Sequence, residues 1–446
     1  MKKNPSTLAS LGLLWSSVIL ASFLNSVLTG TALPTFLIAV ILRPLFLIVF
    51  ALCIVLVIGL VLHVRVDELW TKVIKVLPAA LLIGLLLSLT GIWNDGSGTT
   101  ALPLKDAGVF ILTLGIFPLK AGLEILVRGA SVGLVVLVAL NLYRQHFKLM
   151  RLVVASVLAW VAGSVCLLVQ TWLAYFSAAA NHLTIMHSQD AVQALGWLHM
   201  NTQWTNYQAD RFFTGVGKQL ETGIVLSSSS ILFLLACAFG LLLLSKVQPY
   251  ARSGVAKALI RRLLPASYVQ ALPVVALVGG LVAGWSSARW SWSALDYVAL
   301  ALLLVAFIAW SSIRTYCDDL KNIRRDEEKF PNRPLPAGLI RPDELTDLCR
   351  ILLPVMLVAS FLLGWPVFLA ALALLAVDYT FSAIRFQPAE KVIAFAKNML
   401  FIALLVVLGG IFVTRTAFLP KGCIGLALGF ALLYLPLKKL DLRRGS

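Results

Sequence analysis

Charge is scarce in this chain of 446 residues: Asp, Glu, Lys and Arg together make up 13%, about half the usual share of a soluble domain. Acids are the rarer sign, 20 against 37 bases, which leaves a net charge of +17. No compact soluble basic segment carries that excess, which argues against nucleic acid as a partner. The six cysteines (53, 166, 237, 317, 349 and 423) are scattered without metal-ligand spacing. Four of them lie in apolar runs, where Cys is usually a small core residue, so neither a disulfide framework nor a zinc site is expected. No Gly-x-x-x-x-Gly-Lys-Ser/Thr signature occurs, and any coupling to ATP requires another chain. No Ala-x-Ala cleavage site follows Lys2-Lys3 and the apolar run over about 9–29, so this stretch reads as a first membrane helix rather than a leader.

Apolar residues, by contrast, are abundant, at 60% with a mean hydropathy of +0.93. They come in repeated runs of about 20 residues, the length a helix needs to cross a bilayer. The expected fold is all-α, a polytopic helical membrane protein with about 12 transmembrane helices. After the first, runs fall at roughly 44–62, 77–93, 125–142, 152–176 and 223–245. The remainder fall at about 267–288, 292–313, 346–364, 366–384, 395–414 and 420–437. With Lys2 and Lys3 inside, the bases gather in alternate loops, as the positive-inside rule requires. Both termini and the polar stretch 314–343 are then cytoplasmic, with the chain in a bacterial or archaeal plasma membrane among anionic lipids.

Three regions are expected: a six-helix membrane domain over 1–250, a basic linker helix over 251–266, and a second membrane domain over 267–446. In the linker, Lys246, Arg252, Lys257, Arg261 and Arg262 punctuate an amphipathic stretch. It lies along the inner leaflet or is an ordinary positive-inside connection. Two outer excursions are expected, at 94–124 and 177–222. The second contains His182, His187, His199, Asp190, Asp210, Trp197 and Trp204. Its aromatics suit an interfacial segment, and its irregularly spaced histidines are weak metal candidates.

The chemistry concentrates in 314–343, where acids, bases and prolines interrupt the apolar pattern. Asp319, Asn322 and Asp326 fall at i, i+3 and i+7 and share one face of a helix. Carboxylate and amide oxygens together suit a hard cation such as Mg2+, which bridges readily to phosphate. Pro331-Asn-Arg333-Pro-Leu-Pro336-Ala-Gly338 then forces a turn, and Arg333 is placed to pair with a phosphate. The alternative is a solvated, charged loop.

This stretch resembles the first Asp-rich motif of the UbiA superfamily of intramembrane prenyltransferases. Asp318 stands at the motif's Asn, Asp319 at its first Asp, Asn322 at its second and Asp326 at its third. Pro331, Arg333, Pro334, Leu335, Pro336 and Gly338 continue in register, with Ala337 in place of Ser. Asp378-Tyr379-Thr-Phe-Ser-Ala-Ile-Arg385 and Lys397-Asn398 are similar to a later segment of the family. The resemblance covers about 267–446 and two-thirds of the family fold. The second Asp-rich motif is not found: Asp441 stands at its first acid and Arg444 at its next position.

The resemblance implies a partial UbiA-like bundle that binds an isoprenoid diphosphate. Asp319, Asn322 and Asp326 would hold Mg2+, and Asp378 would be a further catalytic acid. Arg333, Arg385, Lys397 and Asn398 would bind the substrate. The remaining carboxylates would come from the N-terminal half, a second protomer or a partner subunit. The expected activity is polyprenyl transfer to an acceptor. A non-catalytic relative, binding a polyprenyl lipid or serving a transport or biosynthetic complex, is the alternative.

Overall fold

The computed structural model describes residues 43–62, 150–158, 216–246, 254–264, 268–287, 294–331, 333–383, 390–414 and 421–444, with isolated positions at 16–41, at 69–73 and at Tyr250. Among these, regular structure is entirely helical. The spans expected at 77–93 and 125–142, most of those at 9–29 and 152–176, and the excursion 94–124 lie outside the described residues. So do His182, His187, His199, Asp190, Asp210, Trp197, Trp204 and Arg385.

The chain divides into two units by its internal contacts, one comprising 1–244 and 293–298, the other 245–292 and 299–446. In the first unit, α1 (Arg43–Leu62) and α2 (Val216–Leu244) pack against each other. The thiol of Cys53 donates to the carbonyl of Leu232 across that contact at 3.2 Å. Buried Ser230 donates back to its own helix, to the Leu226 carbonyl at 2.7 Å, the usual way a serine is accommodated in an apolar helix. Helix α2 begins at Val216, about seven residues before the apolar run suggested, so the end of the expected 177–222 excursion is already helical.

The second unit is built from α3 (Val255–Leu263), α4 (Tyr268–Ser287), α5 (Ala294–Lys321), α6 (Ile323–Lys329), α7 (Pro342–Leu362), α8 (Trp365–Ala383), α9 (Glu390–Thr414) and α10 (Lys421–Arg444). The first residues of α5 belong to the other unit. Helices α4 and α9 form the most intimate pair, and α10 packs on both. Small residues make that approach possible, as is usual between helices in lipid. A Cβ at Gly280 would sit 2.2 Å from the carbonyl oxygen of Val406, and one at Gly409 would sit 2.5 Å from that of Leu277. Helix α7 starts on Pro342, and Glu344 accepts the Arg341 backbone N–H at 2.8 Å. Gly364, at φ 107°, turns the chain from α7 into α8.

Four described helices are long and apolar enough to cross a membrane: Pro44–Leu62, Leu295–Lys321, Pro342–Leu362 and Phe395–Thr414. Ser229–Leu244, Gln270–Trp285, Trp365–Thr380 and Gly422–Tyr434 are shorter apolar helices. The described structure therefore supports an all-helical membrane protein, with four such spans where the apolar runs suggested about twelve.

Candidate functional site

Helix α5 ends in the acidic motif, and its last turn is where the site begins. The expected single helix face is interrupted at Asn322, which leaves helical geometry (φ −108°, ψ 18°) between α5 and α6. Hydrogen bonding nevertheless runs through the kink, from Asn322 N to Asp318 O at 3.1 Å and from Asp326 N to Asn322 O at 2.9 Å. Asp319 and Asp326 consequently stay on the same side, both buried. Asn322 differs: its side-chain amide donates to the Asp318 carbonyl at 2.8 Å, back along its own helix.

The proline-rich turn closes over this face. Arg333 N donates to Phe330 O at 3.0 Å, Ala337 N to Arg333 O at 2.9 Å, and Leu339 N to Pro334 O at 3.0 Å. Gly338 sits at φ 65°, a conformation that favours a residue without a Cβ. The turn aims the Arg333 guanidinium at both acids. Its Nη1 donates to Asp326 Oδ2 and lies 3.6 Å from Asp319 Oδ1. The same guanidinium lies over the Phe330 ring, 4.1 Å from its centre.

A second arginine, absent from the candidates read in the sequence, completes the cluster. Arg262 of α3 binds Asp319 in a fork, Nε to Oδ2 at 2.9 Å and Nη2 to Oδ1 at 2.7 Å. Its bond to Asp319 raises the Arg262 pKa above its already high ordinary value, the Asp326 and Asp318 charges adding to the effect against the cost of burial. Asp319 is 7% exposed and Arg262 17%, so the pair is far drier than a surface salt bridge. Two acids thus face two guanidinium groups. Among the described residues, one carboxylate oxygen in the cluster, Asp326 Oδ1, is buried without a hydrogen-bond partner.

Helix α3 is held in place by its apolar side. Val255 and Leu259 are buried with Tyr316, Ile340, Leu345 and Leu348, and Leu335 and Leu339 of the turn pack on this core. The apolar side of α3 is therefore a protein contact. Val255, Leu259 and Arg262 recur at i, i+4 and i+7, and this spacing was the sequence signal that Arg262 points inward. Tyr250, just upstream, donates to the Glu344 carbonyl at 3.0 Å. Burial, then the acids Glu344 and Asp347, push its phenol up to about 12.

The later candidates form a separate cluster on α5, α8, α9 and α10. Lys397 pairs with Asp378 at 2.8 Å. Asn398 accepts from Arg314 at 2.9 Å and donates to the Tyr434 hydroxyl at 2.8 Å. Arg314 lies over the Phe401 ring, 4.2 Å from its centre. Asp318 lies in the field of Arg314, Lys397 and Asp378, and it also contributes to the field at Arg262. Arg314 was missed in the sequence, although its i, i+4 relation to Asp318 places the two on one face. Among the described residues no group of three or more His, Cys, Asp or Glu converges as a metal site. All five described cysteines are free.

Comparisons of the chain with protein-family models, curated proteins and solved structures give no match.

Proposed function

We propose that the second unit is a UbiA-like module that binds the diphosphate of a polyprenyl lipid at the Asp319–Asp326–Arg333 cluster and transfers the prenyl group to an acceptor. The observation that supports this reading is the convergence of Asp319, Asp326 and Arg333, seven residues or more apart in sequence, at one buried point beside a membrane helix. Carboxylate oxygens are the right donors for Mg2+, and Asp326 Oδ1 is a buried oxygen free to take one. Asp319 offers its oxygens only when Arg262 swings away. Mg2+, when bound, supplies positive charge that stabilises a departing diphosphate. Arg333 keeps unused N–H donors for phosphate oxygens, and Lys397, Arg314 and Asn398 are cationic or polar groups for the same anion. Asp378 is held against Lys397 and serves in this reading as the supplementary acid. The apolar helices house the isoprenoid tail.

A second reading has a specific observation in its favour. Arg262 occupies both oxygens of Asp319, so the acids already have cations of their own. A non-catalytic module would then hold the anionic head of a polyprenyl lipid through its arginines, for a transport or biosynthetic complex.

One experiment separates the two. Binding of an isoprenoid diphosphate to the detergent-purified chain is measured with and without Mg2+, for the wild type, Asp319→Ala/Asp326→Ala and Arg333→Gln. Mg2+-dependent binding lost in the double variant supports transfer. Binding that ignores Mg2+ but falls in Arg333→Gln supports the non-catalytic reading. Binding unaffected by every substitution sinks both.

A further inference from the structure

Helix α3 has a second face that neither reading uses. At about 100° per residue, Lys257, Ile260, Arg261 and Leu264 fall on the side opposite Val255, Leu259 and Arg262. The structure agrees: Lys257 and Arg261 are exposed, and Ile260 and Leu264 are 62% and 61% exposed. The outward face therefore pairs two long aliphatic side chains with two bases. Among the described residues neither base has an acidic partner, and the whole stretch 245–264 contains no Asp or Glu. Arg262, by contrast, is committed inward to Asp319. Four residues after Leu264 the apolar helix α4 begins, and four residues of chain reach at most about 14 Å. The outward face is therefore tethered close to the start of an apolar helix.

We infer that this face docks on the headgroup layer of a bilayer containing anionic lipid. Lys257 and Arg261 contact the phosphates, and Ile260 and Leu264 enter the acyl boundary between them. Charge complementarity selects this occupant over a second copy of the chain, whose matching face would present the same bases and repel. Apolar side chains flanked by bases are the composition that binds a surface of this kind. The inference stands apart from the proposed function, because it requires no isoprenoid ligand and no metal. It does give α3 two contacts at once, lipid outside and the Arg262–Asp319 fork inside.

The test is hydrogen exchange of the backbone amides of 255–264 in the full chain. The chain is reconstituted in nanodiscs of phosphatidylcholine alone or mixed with phosphatidylglycerol. Anionic lipid is expected to slow exchange about tenfold at low salt, an effect that fades at high salt because the attraction is screened. Lys257→Gln/Arg261→Gln should abolish the difference while leaving exchange of 342–352 unchanged, which reports that the shared core is intact. Should that variant not fold, the salt dependence of the wild type decides alone. Equal exchange in the two lipids overturns the inference, as does a lipid effect that survives high salt or persists in the folded variant. Protection that tracks protein concentration instead of lipid charge also overturns it, and marks the face as a contact between copies.

Discussion

Arg262 grips Asp319 through two near-parallel N–H···O bonds although 57 residues separate them. Removing one member leaves the other charge buried and unpaired, which typically costs more than the pair is worth. Arg262→Met should lower stability by about 2–4 kcal/mol, somewhat below the value for a fully buried pair because Arg262 keeps contact with solvent. Arg262→Met/Asp319→Leu should recover most of that loss. Thermal unfolding in detergent reads both, and a double variant no better than the single one would show that the fork is not the cause.

The α4–α9 contact depends on missing side chains. Gly280→Val places a methyl-bearing carbon against the Val406 carbonyl, with backbone rather than a movable side chain as the obstacle. Overpacking of this kind costs about 1–3 kcal/mol or more. A Cβ at Gly425 would meet nothing within 4 Å, so Gly425→Ala should be neutral or stabilising by about 0.5–1 kcal/mol through the unfolded chain. Thermal unfolding of the two variants makes the comparison, and equal losses at the two glycines would contradict the close approach of α4 to α9.

Tyr250 predicts a response to alkali. Its phenol ordinarily titrates near 10 and is pushed up to about 12 in the fold, first by burial and then by Glu344 and Asp347. The folded state thus favours the neutral form, and the contribution is intact below pH 10. It is lost as pH rises from 10 towards 12, because the unfolded chain ionises first. Unfolding followed across that window should show a steeper decline for the wild type than for Tyr250→Phe. Parallel curves would remove Tyr250 from the account.

Asn398 is the joint between Arg314 and Tyr434. Tyr434→Phe deletes one acceptor and should cost about 1 kcal/mol. Asn398→Leu should cost more, since it removes a hydrogen bond from the guanidinium as well as from the hydroxyl. Chemical unfolding of the two variants gives the order, and the reverse order would mean Tyr434 has the larger role.

Much of this arrangement was legible in the chain itself. Apolar runs at 44–62, 267–288, 292–313, 346–364, 366–384, 395–414 and 420–437 all coincide with helices, because a stretch of that length and composition has few other ways to satisfy its backbone. The turn at 331–338 was readable too, from prolines and a glycine with strong local preferences. What stayed hidden is non-local. Nothing adjacent to Asp319 indicates that a base 57 residues earlier will neutralise it. That depends on α3 packing its Val255–Leu259 edge onto Tyr316, Ile340 and Leu345. At short range, nothing in the sequence indicates that the Asn322 amide nitrogen donates to the Asp318 carbonyl.

Asp319 is held twice, by the fork from Arg262 of α3 and by the guanidinium of Arg333 in the proline-rich turn, 3.6 Å away. One carboxylate at the end of α5 thereby fastens a segment that precedes the helix to a segment that follows it. A cation that took the Asp319 oxygens would loosen both ties in one step, so capture of a ligand at this side chain would be relayed to the chain on either side of α5.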